Sequence, residues 1–254
     1  MDDLLRVSIR VDTADGEIAR ARLLELEPAG FEELETAGCS LELAVYTDAT
    51  GLACVRECFE DVSVTLVKAG WQEAWRSFHR PVIAGGVWIG PPWEVPPRGK
   101  PAVVIDPGLA FGTGAHVTTR LCLELLARQP RGSLLDVGCG SGVLSIAAIH
   151  LGFDPIIAVD NDPVAVEVTR GNAAANGVAL DVRVVDGITA ALPAVDVAVA
   201  NVLLEPVIAI LGRLDAAIAV TSGYLTSEQP DVEGWRPSER LELDGWAADV
   251  FLAA

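Results

Sequence analysis

The sequence predicts an α/β fold, a domain built on a mainly parallel sheet and preceded by a small α+β domain. Three observations carry this expectation. Leu134-Leu135-Asp136-Val137-Gly138-Cys139-Gly140-Ser141-Gly142 starts as a buried strand and ends in a glycine-dense turn, after which Val143 to Ile149 begins an apolar helix. Ile156-Ile157-Ala158-Val159-Asp160 reads as a second buried strand, ending on an acid about twenty residues further on. The first 68 residues alternate instead as short strands and helices.

With 254 residues the chain can bury one large core and one small one. A hydrophobic content of 51% supports packed globular domains, and no run reaches the ~18 apolar residues of a membrane span. Met1-Asp2-Asp3 lacks the basic start of a signal peptide, so a cytoplasmic location is expected. Cysteines at 39, 54, 58, 122 and 139 show no metal-ligand spacing, which predicts reduced structural thiols and no metal. The net charge of −18 opposes tight binding to nucleic acid. It suits a basic protein partner or serves solubility alone, and charge does not choose between these.

Residues 1–68 read as strand, helix, strand, strand, helix, strand. Leu5, Val7, Ile9 and Val11 alternate, Ile18 to Leu26 is helical, Phe31 to Glu35 and Leu41 to Tyr46 form a hairpin around Gly38, Leu52 to Phe59 is a short helix, and Val62 to Val67 alternates again. That order is the split βαβ, ferredoxin-like arrangement. The domain's expected use is to present a surface to a substrate, or merely to add stability. Residues 69–101 hold four of the six tryptophans, at 71, 75, 88 and 93, and prolines at 81, 91, 92, 96, 97 and 101. They read as a stiff interdomain connector, with Trp71 and Trp75 on one short helix. Residues 102–254 form the catalytic domain.

Within that domain, Asp106 to Thr119 is too glycine-dense for a simple connector and reads as a site-covering loop, with Thr118 or Thr119 capping the next helix. The turn at 138–142 would sit at a helix N-terminus, which favours an anionic group. Its third glycine, Gly142, comes one residue early for a dinucleotide fingerprint, and no Lys-Ser or Lys-Thr pair follows as in a phosphate loop. The pattern resembles the first motif of class I S-adenosylmethionine-dependent methyltransferases, whose loop holds the methionine end of the cofactor. Gly138, Gly140 and Gly142 are therefore cofactor-binding candidates. Asp160, at the next strand end, is the ribose candidate. Asp162-Pro163 supplies an N-cap and first-turn proline for a helix that closes at Asn176-Gly177. Asp186, after Val182 to Val185, is either an acceptor for the adenine amino group or a turn acid before Gly187.

The combination Asp106-Pro-Gly-Leu-Ala-Phe-Gly-Thr-Gly-Ala-His-Val-Thr-Thr119 with Asp136-Val-Gly-Cys-Gly-Ser-Gly142 resembles the PrmA family, the methyltransferases of ribosomal protein L11. Trp71-Gln-Glu-Ala-Trp75-Arg-Ser-Phe78, Trp88-Ile-Gly-Pro-Pro-Trp93 and Ala200-Asn201-Val202-Leu203-Leu204 resemble further parts of it. The resemblance implies a Rossmann-like catalytic domain, S-adenosyl-L-methionine as cofactor, and contacts to it from Thr119, Gly138, Asp160 and Asn201. It implies an N-methyltransferase acting on lysine side chains or an N-terminal amine of a basic, L11-like ribosomal protein. The chain is expected to be a monomer with no membrane association.

In this chemistry a lysine of pKa ~10.4 must lose a proton, at a cost of roughly 4 to 5 kcal/mol at neutral pH. Asn201 is the candidate for orienting the amine. Thr113 and His116 are candidates for completing the catalytic pocket, His116 either by fixing the loop or by removing a proton. His79 and His150 read as structural. Val202, Leu203 and Leu204 stand where base- and glutamine-methylating enzymes carry an aromatic stacking platform, which agrees with a flexible aliphatic amine. Near the C-terminus, Pro230 and Pro237 oppose a long helix between Leu225 and the closing hairpin at Asp244-Gly245-Trp246. The other readings are a methyltransferase of another protein lysine or small amine, and a cofactor-binding interaction protein without catalysis.

Overall fold

The structure, a computed structural model, describes residues 5–12, 15–26, 31–35, 40–67, 79–106 and 114–254. Thr113 and the rest of the 107–113 stretch, Trp71, Trp75, Gly38 and Cys39 lie outside the described residues. The chain falls into two compact units, residues 1–78 and 79–254.

In the smaller unit the described elements are β1 (Leu5–Asp12), α1 (Gly16–Leu26), β2 (Glu32–Glu35), β3 (Ser40–Thr47), α2 (Ala49–Cys58) and β4 (Val62–Leu66). The strands form an antiparallel sheet of order β2-β3-β1-β4. Period-two alternation puts Val7 and Ile9 of β1 and Leu43 and Val45 of β3 on one face, where Ala19 and Leu23 of α1 and Val55 of α2 complete the core. Asp48 starts α2 because its carboxylate accepts from the amides of Thr50 and Gly51, at 2.8 and 3.0 Å.

The larger unit opens with β5 (Val82–Ala84), β6 (Val87–Gly90) and β7 (Ala102–Val104), followed by α3 (Val117–Leu126). A seven-stranded sheet is then built from β8 (Leu134–Val137), β9 (Ile156–Asp160), β10 (Asp181–Val184), β11 (Val195–Asn201), β12 (Ala216–Leu225), β13 (Trp235–Leu243) and β14 (Trp246–Ala253). Between its strands run α4 (Val143–Leu151), α5 (Pro163–Ala175) and α6 (Leu204–Leu211). The order is β10-β9-β8-β11-β12-β14-β13, with β14 antiparallel to both neighbours and the first five strands parallel. The order turns back beside β8, which pairs with β9 on one side and β11 on the other. In such sheets the crevice beyond the carboxyl ends at this point takes the ligand.

The region read as a connector over 69–101 is built differently from residue 79 onward. β5, β6 and β7 form a three-stranded sheet, and Val87, Ile89 and Val103 are buried in the main core with Leu123 and Ile146. The prolines at 91, 92, 96, 97 and 101 occupy the excursion between β6 and β7, which pair in parallel. They keep amides out of a segment that has no ladder to join.

β12 and β13 run parallel on either side of β14, yet nine residues, 226–234, join them without a helix. A crossover ordinarily uses a dozen or more residues and a helix. Here the chain is pinned by Arg240, whose Nη2 donates to the carbonyls of Thr226 and Glu228 at 3.0 and 2.9 Å. Its Nη1 donates to Asp249 Oδ2 at 2.9 Å, and the Tyr224 hydroxyl donates to the same oxygen at 2.8 Å. Burial pushes the Asp249 carboxyl above the usual range against the pull of these two partners. Removing the guanidinium leaves a buried carboxylate facing Tyr224 alone, so Arg240→Ala is expected to cost about 2 kcal/mol in urea unfolding at pH 7, less than for a fully buried pair because water reaches Arg240. The loss should shrink as the pH falls and Asp249 takes up its proton in both proteins.

Candidate functional site

The glycine turn has the backbone its composition predicts. Gly138, Gly140 and Gly142 have φ of 78°, 55° and 78°. A Cβ at Gly138 would lie 2.6 Å from Val202 Cγ1, and one at Gly142 would lie 2.7 Å from Thr169 Cγ2, so both the angle and the space exclude a side chain. The bend folds back on β9, with the amides of Gly138 and Cys139 donating to the Val159 carbonyl at 2.8 and 3.0 Å. From α5, Thr169 Oγ1 donates to the Gly140 carbonyl at 2.9 Å and Asn172 Nδ2 to the Ser141 carbonyl at 2.8 Å.

Asp160, at the end of β9, accepts the Gly140 amide on Oδ2 at 2.9 Å and the Asp162 amide on Oδ1 at 3.0 Å. Each oxygen keeps a lone pair for a further donor. Asp162 caps α5 by accepting from the Val164 amide at 2.8 Å, with Pro163 in the first turn. Asp186 takes the Ile188 amide at 2.9 Å and the Thr189 hydroxyl at 2.7 Å, and these bonds hold its carboxyl below the usual range.

Beneath the bend, Asp136 is 1% exposed. Its Oδ2 accepts from the Ser145 hydroxyl at 2.6 Å, while Oδ1 meets no donor. Burial, with a smaller contribution from the charge of Asp160, pushes its pKa up to about 6. A buried carboxylate oxygen without a donor, beside a glycine bend, has an accepting position left open.

On the opposite side of the turn-back point, Asn201 ends β11 and its Nδ2 donates to Thr119 Oγ1 at 3.3 Å. The fold thus joins two of the sequence-predicted site residues that stand 82 positions apart. The cap of α3 differs from the expectation. His116, not a threonine, holds the N-cap position, with Nδ1 2.8 Å from Thr118 Oγ1 and 3.4 Å from the Thr118 amide. The imidazole lies edge-on to Trp246 at 5.2 Å, and burial holds its pKa below the usual value. In the tautomer whose Nδ1 accepts from the Thr118 amide, the ring proton sits on Nε2.

Cys122 and Cys139 are buried thiols, and desolvation pushes Cys139 up to about 12, so it stays protonated and unreactive. Among the described residues, no three His, Cys, Asp or Glu side chains gather as a metal site. Among the same residues, no helix is long and apolar enough to cross a membrane. Sequence reasoning missed Thr169, Asn172 and Ser145 as supports of the bend. All three are buried and polar, on helices whose other inward residues are apolar.

A sheet of this order with its penultimate strand reversed, a glycine bend after one strand and a carboxylate after its neighbour, defines a class I methyltransferase domain. The family model described as "Ribosomal protein L11 methyltransferase (PrmA)" matches residues 44–248, and the chain belongs to that family. A relative from Symbiobacterium thermophilum, named ribosomal protein L11 methyltransferase, is 40% identical over 162 residues, 62% of this chain and 53% of its own. One of the same name from Geobacter sulfurreducens is 38% identical over 224 residues, 79% of this chain and 74% of its own. A solved structure of a ribosomal protein L11 methylase from Lactobacillus delbrueckii subsp. bulgaricus superposes with a TM-score of 0.61 at 26% identity, covering 68% of this chain and 99% of that one. The chain spans little more than half the length of several of its curated relatives.

Proposed function

We propose that this chain is an S-adenosylmethionine-dependent protein N-methyltransferase that acts on amino groups of ribosomal protein L11, lysine side chains or the N-terminal amine. The observation that carries it is the pairing, across the turn-back point of the sheet, of the glycine bend and Asp160 on one side with Asn201 and Thr119 on the other. The residues present fit the cofactor. Gly138 leaves bare backbone where a Cβ would collide, Asp136 Oδ1 is unpaired, and Asp160 has accepting capacity for ribose hydroxyls. Asp186 retains capacity for an adenine amino group in the same way. S-adenosylmethionine, when bound, supplies a methyl group activated by a sulfonium.

The work of the chain is alignment and exclusion of water. Asn201 gives its amide N–H to Thr119, which leaves its amide oxygen to accept from the incoming amine and turn the lone pair toward the methyl. His116 positions the start of α3 rather than removing the proton, since its accepting nitrogen is committed to Thr118. Thr113, the other candidate for completing the pocket, lies outside the described residues. The amine's proton leaves to water, helped by desolvation and a neighbouring positive charge. The smaller unit serves as the recognition domain for L11. The charge of −18 suits a basic target, and the protein works as a cytoplasmic monomer.

Calorimetry tests the cofactor half. Asp160→Ala is expected to weaken S-adenosylmethionine binding by at least ~1.5 kcal/mol, because it removes both a ribose acceptor and the anchor of the Gly140 amide. Unchanged affinity removes Asp160 from that role. Mass spectrometry of ribosomal proteins from cells with and without the gene tests the acceptor half. Loss of methyl groups from a protein other than L11 moves the substrate assignment.

A further inference from the structure

We infer that Val202 is a wedge that sets the spacing between the glycine bend at Gly138 and Asn201, a positioning role for the residue after the acceptor-orienting side chain. The inference rests on the proposed methyl transfer for its catalytic consequence, but its geometry stands on packing alone. Val202 is held from both sides by glycines at positive φ. Toward the bend, its Cγ1 fills the space a side chain at Gly138 would need, 2.6 Å from the Cβ position, with φ at Gly138 of +78°. Toward β12, Gly223 has φ of +103°, and a Cβ there would lie 2.1 Å from the Val202 carbonyl oxygen and 2.6 Å from its carbon. The Gly223 backbone therefore lies flat against the Val202 peptide.

The β12 side is itself immobilised. The strand register shifts between Ser222 and Tyr224, so Gly223 is the bulged residue. Before the bulge, the Ser222 carbonyl accepts the Val202 amide at 3.1 Å, and the Ser222 hydroxyl donates to the Ala247 carbonyl at 2.7 Å. After it, Tyr224 is tied to Thr221 and Asp249 at 2.8 Å each. A fixed chain of contacts thus runs from β14 through the bulge and the Val202 peptide, then through one branched side chain to Gly138. Val202 also packs against two apolar clusters, one with Val207 and Tyr224 and the other with Val137 and Val159. Valine suits the position because its branched Cβ leaves few rotamers. Asn201 precedes Val202 directly, so the wedge fixes how far the amide oxygen stands from a methyl donor on the bend. A misplacement of about 1 Å costs in-line transfer about 100-fold.

The test compares Val202→Ala, Val202→Thr and Val207→Ala, the last removing apolar volume from the same cluster without touching Gly138. In the ligand-free protein, hydrogen exchange across 136–142 should quicken about tenfold in Val202→Ala and not in Val207→Ala. With S-adenosylmethionine and ribosomal protein L11, kcat should fall about tenfold in Val202→Ala, by more than cofactor Kd rises, and Val202→Thr, which keeps the branched shape, should restore both readouts. Equal exchange in Val202→Ala and Val207→Ala, or a Thr variant as impaired as the Ala variant, overturns the wedge. Should the wild-type protein fail to bind S-adenosylmethionine, the functional reading falls, and the exchange comparison alone decides the wedge.

Discussion

On the proposed function, Asn201→Ala is expected to lower kcat for methyl transfer to ribosomal protein L11 about 100-fold while changing S-adenosylmethionine Kd less than about fivefold. Asn201 stands at the end of β11, where Ser222 pairs with it in register and Thr119 takes its amide hydrogen. Its amide oxygen is thereby presented without a charge. That distinction predicts the behaviour of a second variant. Asn201→Asp places a carboxylate where the acceptor approaches, favours the ammonium form of lysine and so withholds the lone pair, and should be as slow as the alanine variant near pH 7. Raising the pH frees the amine in both variants, but the rate of the aspartate variant should go on rising to higher pH than that of the alanine variant, because only its carboxylate raises the amine pKa. Thr119→Val, which releases the amide without removing it, should show a smaller loss, about fivefold. Single-turnover transfer to L11 separates these effects from product release. Wild-type kcat in Asn201→Ala would move the orienting role elsewhere.

What could be read from the sequence was what is local. The bend at 138–142 is legible because strand, glycines and helix are contiguous, and the cap at Asp162 with Pro163 because both act within one turn. The six elements of the smaller unit follow from alternation and turn residues, and their sheet order is an outcome of pairing that alternation alone does not dictate. The strands β5 and β6, inside the stretch 69–101 read as a connector, escape the sequence for the same reason. Strands of three or four residues between prolines carry too little period to register, and they are strands because they pair with one another and bury Val87, Ile89 and Val103. Preference tables point to Thr118 or Thr119 as the cap of α3, but the fold spends Thr119 on Asn201 and gives the cap to an imidazole packed on Trp246, 130 residues downstream. The absence of a helix between β12 and β13 was legible in Pro230 and Pro237. The guanidinium that compensates was not, since Arg240 meets the 226–228 carbonyls only through the pairing of β13 with β14.

Asp136→Asn should separate stability from cofactor binding, with opposite signs. In the wild-type fold the carboxyl titrates near 6 instead of the ordinary 3.8, because burial penalises the anion more than the Ser145 hydroxyl supports it. The unfolded chain ionises first as pH rises, so this group's contribution to stability is full below about pH 4, declines through pH 6 and is flat above. The difference between those plateaus is about 3 kcal/mol. Asparagine does not titrate, so the decline should be absent from urea unfolding of the variant between pH 4 and 7.5, whatever constant offset its unpaired amide adds. Binding should move the other way. On the proposed function, the cationic end of S-adenosylmethionine would stabilise this interior anion with its unpaired Oδ1, so wild-type affinity should fall as pH drops below 6 and the proton competes. The variant should bind about 10- to 100-fold more weakly at pH 7.5, the loss of one charge-assisted contact, with little dependence on pH. Parallel pH slopes in the unfolding of the two proteins, or a wild-type affinity that is level from pH 5 to 7.5, would show that the buried charge is not kept for the cofactor, and the reading of this bend as a cation-binding cradle would lose its main physical support.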